Sequence, residues 1–181
     1  MKEYAWLFPI LFIFHDMEEI VGFGIWLRKN KKFIMKKYPW AVAPYKDFST
    51  EGMALAIYEE LIVCIAFSGA VYVTENPIIS YIWLGAFLGC TLHYLIHIIQ
   101  ALVIRMYIPA VITSIICLPV SLWIIGQCFS GISCFDIQTA AWILAGTGMV
   151  GINLKIAQRL IGWFTRKMNI GDREDQEETK C

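Results

Sequence analysis

The chain has 181 residues, of which 58% are hydrophobic, 14% aromatic and 17% charged, at a mean hydropathy of +0.59. That is too apolar for an ordinary soluble domain and points to an all-α, polytopic membrane protein. Fifteen Lys and Arg balance fifteen Asp and Glu, which argues against the basic footprint of a nucleic-acid binder.

A bilayer core of about 30 Å calls for about 20 mostly apolar residues per helix. The stretch 5–27 is apolar apart from His15, Asp16, Glu18 and Glu19, and 53–73 is apolar apart from Glu59 and Glu60. Both are expected to span, although a hydropathy criterion that penalises charge would pass over them. The N-terminus lacks a basic region and a small-residue cleavage site, so the first segment is expected to be retained. Glu75-Asn76-Pro77 makes a tight turn into a third span, 78–101, with Pro77 suited to a first helical turn. Arg105 marks the next turn. The fourth span, 108–129, is expected to carry Pro109 in its first turn and a kink at Pro119. After a loop with Gly131, Ser133 and Asp136, the fifth span, 140–161, holds Gly146, Gly148 and Gly151, which allow close helix approach. Residues 1–170 are thus expected to form one helical bundle, and 171–181 an acidic solvated tail.

Seven basic residues lie between Arg28 and Lys46 and six between Lys155 and Lys180. With five spans, these segments and Arg105 fall on one side, which the positive-inside rule makes cytoplasmic. Only Lys2 of the fifteen is then outside. The expectation is a multi-pass protein of the cell membrane, N-terminus outside and C-terminus cytoplasmic. The basic first loop, with Tyr38, Trp40 and Tyr45 after its lysines, suits an anionic lipid surface. Cys64, Cys90 and Cys117 read as small buried hydrophobes, and only Cys128 and Cys134 are placed where a bridge is conceivable.

Ionisable groups inside a membrane are costly and usually mark a site or pathway. Glu19 stands nine residues before Arg28, Glu60 nine after Glu51, and His97 eight before Arg105. At about 1.5 Å per residue, three helices bring polar groups to one depth. His15, Glu18 and Glu19 are spaced i, i+3, i+4, and His93 and His97 are spaced i, i+4, so each set forms one stripe. Imidazoles and carboxylates facing one another across a bundle are how such folds hold transition metals. His15, Glu19, Glu60, His93 and His97 are the candidate ligands of a divalent zinc, iron or manganese ion. The bland alternative is a satisfied polar network in which the histidines bond to Glu59 or Glu19 and only fix packing. Asp16, about 100° from His15 around the helix, reads as a supporting partner of the ligands.

Glu18 and Glu59 are the candidate catalytic carboxylates, a spare glutamate serving as general base. Adjacent Glu59 and Glu60 do not share a face, and the sequence does not select which one enters the cluster. Arg105 and Tyr107 are candidates for binding a substrate or an anionic headgroup, against the plainer reading of Arg105 as an interfacial, snorkelling side chain. Walker, dinucleotide-binding, G-x-S-x-G, H-E-x-x-H and Cys-x-x-Cys motifs are all absent.

The run His15-Asp16-Met17-Glu18-Glu19, followed by Glu59-Glu60 and then His93 and His97, resembles the HXXEE-domain family of small bacterial membrane proteins. Arg105-Met106-Tyr107-Ile108-Pro109 resembles an Arg-x-Tyr-x-Pro-Gly segment of that family, with Ala110 where glycine is expected. The resemblance covers 14–113. It implies a membrane location and singles out His15, Glu18, Glu19, Glu60 and His97, but supplies no substrate, since the family's function is uncharacterised. The combined expectation is a metal-dependent hydrolase or oxidase acting on a lipid-like or small hydrophobic substrate from the membrane. A small transporter or proton or metal conduit, and a non-catalytic membrane partner protein, are the alternatives. A homo-oligomer is compatible with the sequence.

Overall fold

A computed structural model of the protein describes residues 1–39 and 45–168. Trp40, Pro44 and the expected tail 171–181 lie outside the described residues. Among the described residues, a 3-10 turn at Lys2–Tyr4 is followed by the α-helices α1 (Leu7–Lys37), α2 (Thr50–Val73), α3 (Pro77–Ile104), α4 (Val111–Ser130) and α5 (Ile137–Met168). The protein is all-helical among the described residues, as its composition implies.

Local chemistry sets the helix ends. The Ser49 hydroxyl accepts from the Gly52 amide at 3.0 Å and shares a 2.8 Å bond with Thr165, so the cap of α2 is also tied to the end of α5. The Asn76 side chain accepts from the Ile78 amide at 2.9 Å and Pro77 is the first residue of α3. Arg105 closes α3 in the left-handed conformation, φ 58°. Pro109 lies before α4 and not in its first turn, because the chain reverses at Ala110, φ 78°, and the helix starts only at Val111. Asp136 caps α5, its carboxylate accepting from the Thr139 amide at 2.8 Å. This backbone hydrogen bond holds the Asp136 carboxyl below its usual range.

α3 packs against α4 and α5, α5 also against α2, and α1 against α2 and α4. The α3–α5 crossing is closest at Gly85 and Gly146, where a Cβ on Gly85 would stand 1.9 Å from the Ile143 carbonyl oxygen and one on Gly146 2.0 Å from that of Ile82. Backbone thus lies directly on backbone, as small residues permit. The buried aromatics Trp83, Phe87 and Phe8 fill the adjoining layer, with Trp83 and Phe87 stacked at 5.5 Å between ring centroids. Cys64, Cys90, Cys117 and Cys128 are buried free thiols and Cys134 an exposed one, so Cys128 and Cys134 are not bridged.

Helices α2 to α5 are long and apolar enough to cross a membrane. The carboxylates of α2 do not take it below that standard, whereas α1 is not among the four. Its polar residues are nonetheless turned inward: His15 and Asp16 are buried, while Ile10, Phe14, Met17, Val21 and Ile25 form an exposed stripe at helical spacing. The outer face of α1 is therefore apolar, the inverse of a soluble amphipathic helix.

Candidate metal centre

The i, i+3, i+4 stripe of α1 faces the start of α4 and the i, i+4 stripe of α3. Glu18 is held by three hydrogen bonds: from the Tyr107 hydroxyl at 2.6 Å, the Thr113 amide at 2.8 Å and the Thr113 hydroxyl at 2.8 Å. Thr113 is the third residue of α4, and the N-cap of that helix, Ala110, has no side chain that caps it. The carboxylate of α1 thus performs the capping that Ala110 does not, at the positive end of the α4 dipole. The Trp26 indole donates to the Tyr107 carbonyl at 2.6 Å, a second strap between α1 and the same turn. Burial together with the Glu18 bond pushes the Tyr107 hydroxyl pKa up to about 12.

This arrangement sets the tautomer of His15. The Thr113 hydroxyl lies 2.8 Å from the Glu18 carboxylate and 3.3 Å from His15 Nδ1. Its proton goes to the carboxylate, the shorter and charge-assisted partner. Its lone pair then accepts Nδ1–H, leaving His15 Nε2 as a bare lone pair. That nitrogen is buried and has no hydrogen-bond partner. The His15 ring lies 5.6 Å from that of His93 and 5.2 Å from that of His97, centroid to centroid.

Opposite it, His97 Nε2 lies 2.9 Å from Glu19 Oε1 and 2.9 Å from His93 Nε2. One nitrogen facing both a carboxylate and a second imidazole nitrogen is poorly served by a single proton, which makes at best a forked bond. One ligand atom each from His15, Glu19, His93 and His97 lies within 4.8 Å of all the others. These are three imidazoles and a carboxylate, all but closed off from solvent, the composition of a transition-metal site. A tetrahedral site with bonds of about 2.0–2.1 Å spaces its ligands a little over 3 Å apart, so small side-chain rotations from this geometry accommodate an ion.

The other sequence candidates take different places. Glu60 is not one of the four convergent groups; it is half-buried and lines two cavities beside them, as does Asp16. Asp16 is buried and its Oδ2 has no partner. Glu59 turns instead toward α5, where Asn153 donates to it at 3.4 Å. Arg105 is exposed at the end of α3, and neither it nor Tyr107 lines either cavity. Tyr107 acts on Glu18. Ser114, whose hydroxyl is 3.5 Å from His15 Nδ1, and Asn153 are partners that the sequence reading passed over. An isolated amide in an apolar helix was the available signal for Asn153.

The larger cavity has a volume of about 540 Å³ and is bounded by α1, α2, α3 and α5; the smaller, about 250 Å³, runs from the cluster past Gln100 and Gln158 to Ile104 and Ile108. Asp16, Glu60 and His93 line both.

The profile of the family described as "Protein of unknown function with HXXEE motif" matches residues 6–124. The chain belongs to that family, and the matched region contains the whole His/Glu cluster. No curated protein and no solved structure matches the chain.

Proposed function

We propose that this HXXEE-family protein is a membrane-embedded metalloprotein in which His15, Glu19, His93 and His97 hold one divalent ion beside a chamber for a lipid-like substrate. The observation that carries the reading is the unpartnered, buried Nε2 of His15, a residue that stands in one close cluster with three other ligating groups. A buried acceptor left without a partner is costly, and an ion would satisfy it together with the doubly contacted His97 nitrogen. Three imidazoles and one carboxylate favour zinc or iron over manganese.

An ion here would supply Lewis acidity toward a bound oxygen or, if iron, redox chemistry. The protein supplies the rest. Thr113 and Glu18 orient His15 through its Nδ1, as outer hydrogen bonds do for metal-bound imidazoles. Asp16 and Glu60, exposed to both cavities, are positioned to accept a proton from a molecule beside the cluster. Glu18, with three donors already in place, is a structural carboxylate in this reading, and Glu59 stands further off with Asn153. The larger cavity is walled by apolar groups such as Phe8, Phe12, Phe67 and Ala86, which excludes water and does not continue a polar path. That wall supports a closed site over a conduit. The apolar outer stripe of α1 supports its being a fifth span, and an odd number of spans together with the basic loops supports a cytoplasmic C-terminus.

The test is elemental analysis of untagged, detergent-purified protein beside His15→Ala and His93→Ala. Near-stoichiometric zinc or iron, lost in both variants while helicity is retained, is the expected result. A folded wild-type chain that takes up no metal on reconstitution refutes the proposal.

A further inference from the structure

We propose that the two cavities form one two-part binding tunnel, past the cluster, for an uncharged single-chain amphiphile: a long-chain alcohol, ester or amide. This deepens the reading above and rests on it for the location of the reactive end. Binding itself requires only the tunnel.

The larger cavity determines the tail. Its 540 Å³ falls within the range of about 300–1,000 Å³ in which pockets enclose one small ligand, sufficient for one aliphatic chain and not for a two-chain lipid. Ile96, Ile152 and Ile156 line this cavity and are also about half exposed on the outer surface. Its mouth therefore opens on the apolar face of the bundle, beside these residues of α3 and α5. The wall that a chain from the bilayer would follow is mostly apolar, with Thr147 and Asn153 on it besides His15, Asp16, Glu60 and His93.

The smaller cavity determines the head. Among the residues lining the two cavities there is no Lys or Arg, while Asp16, Glu19 and Glu60 are all present. No lining side chain therefore offers a phosphate or carboxylate head an ion pair. A cationic head would in turn meet the ion. The polar groups beyond the cluster are the amides of Gln100 and Gln158 and the hydroxyl of Tyr45, which both donate and accept hydrogen bonds and so match a neutral hydroxyl, ester or amide. The head so placed lies within reach of His93, where the cavities join.

Native mass spectrometry of the full chain, released from detergent micelles, tests this with hexadecanol, hexadecyl phosphate and hexadecyltrimethylammonium as probes. The expected result is a single hexadecanol adduct, with both charged probes weaker by about tenfold or more, the effect of a modest charge mismatch. Val63→Trp, which fills the larger cavity away from the ligands, should abolish the adduct. Gln158→Arg, which brings a cation into the smaller cavity, should shift preference toward the phosphate by about tenfold. Equal or tighter binding of either charged probe overturns the proposal, as does hexadecanol binding that survives Val63→Trp in a chain with wild-type thermal unfolding. If that variant does not fold, an unchanged preference in Gln158→Arg is the refuting result. Metal content read on the same samples separates the two proposals. Metal without a hexadecanol adduct removes the tunnel and leaves the metal site, and an adduct without metal does the reverse.

Discussion

Replacing Gly85 by alanine should loosen the whole bundle, because α3 and α5 touch backbone to backbone there. The added Cβ would stand 1.9 Å from the Ile143 carbonyl oxygen, where 3.0–3.4 Å is already a tight contact, so the helices must part by about 1.1–1.5 Å. That gap lengthens the 2.9 Å bond from the Thr147 hydroxyl to the Gly85 carbonyl and lifts Val150 from Gly89. A separation of this size forfeits a large share of the dispersion contacts along the crossing. Overpacking of this kind costs about 1–3 kcal/mol, which for a chain of this length corresponds to a fall in melting temperature of about 2–12 °C. Thermal unfolding in detergent, followed with a thiol-reactive dye, reads this directly, since four of the described cysteines are buried until the bundle opens. Gly146→Ala should behave alike, and the double variant should lose less than the two losses added, since the helices part only once. Gly148→Ala is the control, with nothing within 4 Å of its added Cβ. A Gly85→Ala chain that melts with the control would refute the close crossing of α3 and α5.

Ala110→Gly should be close to neutral, because relief of the left-handed backbone at φ 78° is offset by the lost burial of one methyl group, about 0.8 kcal/mol, and by chain entropy. Ala110→Val, a branched residue in the same conformation, should lose about 2 kcal/mol or more; a valine chain that melts with the glycine chain would contradict this backbone. Asp136→Ala should fray the start of α5, with a sign that pH reveals. The folded carboxyl is held below its ordinary 3.8 by its hydrogen bond from Thr139, so its contribution is present above that value and fades as pH falls through the folded pKa. The melting difference between wild type and variant should therefore shrink as pH falls below that ordinary value and close once the folded carboxyl is protonated, and a difference that persists undiminished in acid would assign the effect to something other than the charged cap.

Apolar run length and helical spacing carried most of the architecture. Four of the described helices follow from stretches long and apolar enough to span a bilayer, α1 follows from its apolar stripe, and the excess length of the helices has a simple origin. α1 continues through the lysines to Lys37 and α5 to Met168, because membrane thickness limits a span without ending a helix. The stripes His15/Glu19 and His93/His97 were legible from spacing alone, since a residue and the one four along share a face. Spacing within one helix does not say how two helices are rotated against each other. Glu59 and Glu60 were therefore equivalent until packing turned Glu60 to the cavities and Glu59 to Asn153. The hydrogen bonds of Glu18 are beyond spacing for a related reason: its partners Tyr107 and Thr113 lie 89 and 95 residues away. The missing glycine was a visible clue that became interpretable only with the backbone, because Ala110 adopts the left-handed conformation that glycine would take most easily.

The same contacts explain how a helix with three carboxylates within four residues occupies a bundle otherwise suited to a membrane. Each acidic group of α1 has a distinct fate. Glu18 is neutralised by hydrogen bonds at the α4 N-terminus, Glu19 lies against His97, and Asp16 retains an unpartnered oxygen beside the cavities. Two of the three are thus compensated by the protein itself, which leaves Asp16 and the bare nitrogen of His15 as the uncompensated polar atoms of the α1 stripe. They belong to consecutive residues that both line the larger cavity, and His15 is also one of the four clustered ligands. Packing requirements alone account for Glu18 and Glu19; they do not account for two adjacent buried side chains that each keep one polar atom without a partner, where an apolar pair would be cheaper by the desolvation of both. The retained cost falls where a bound ion and a bound molecule would meet.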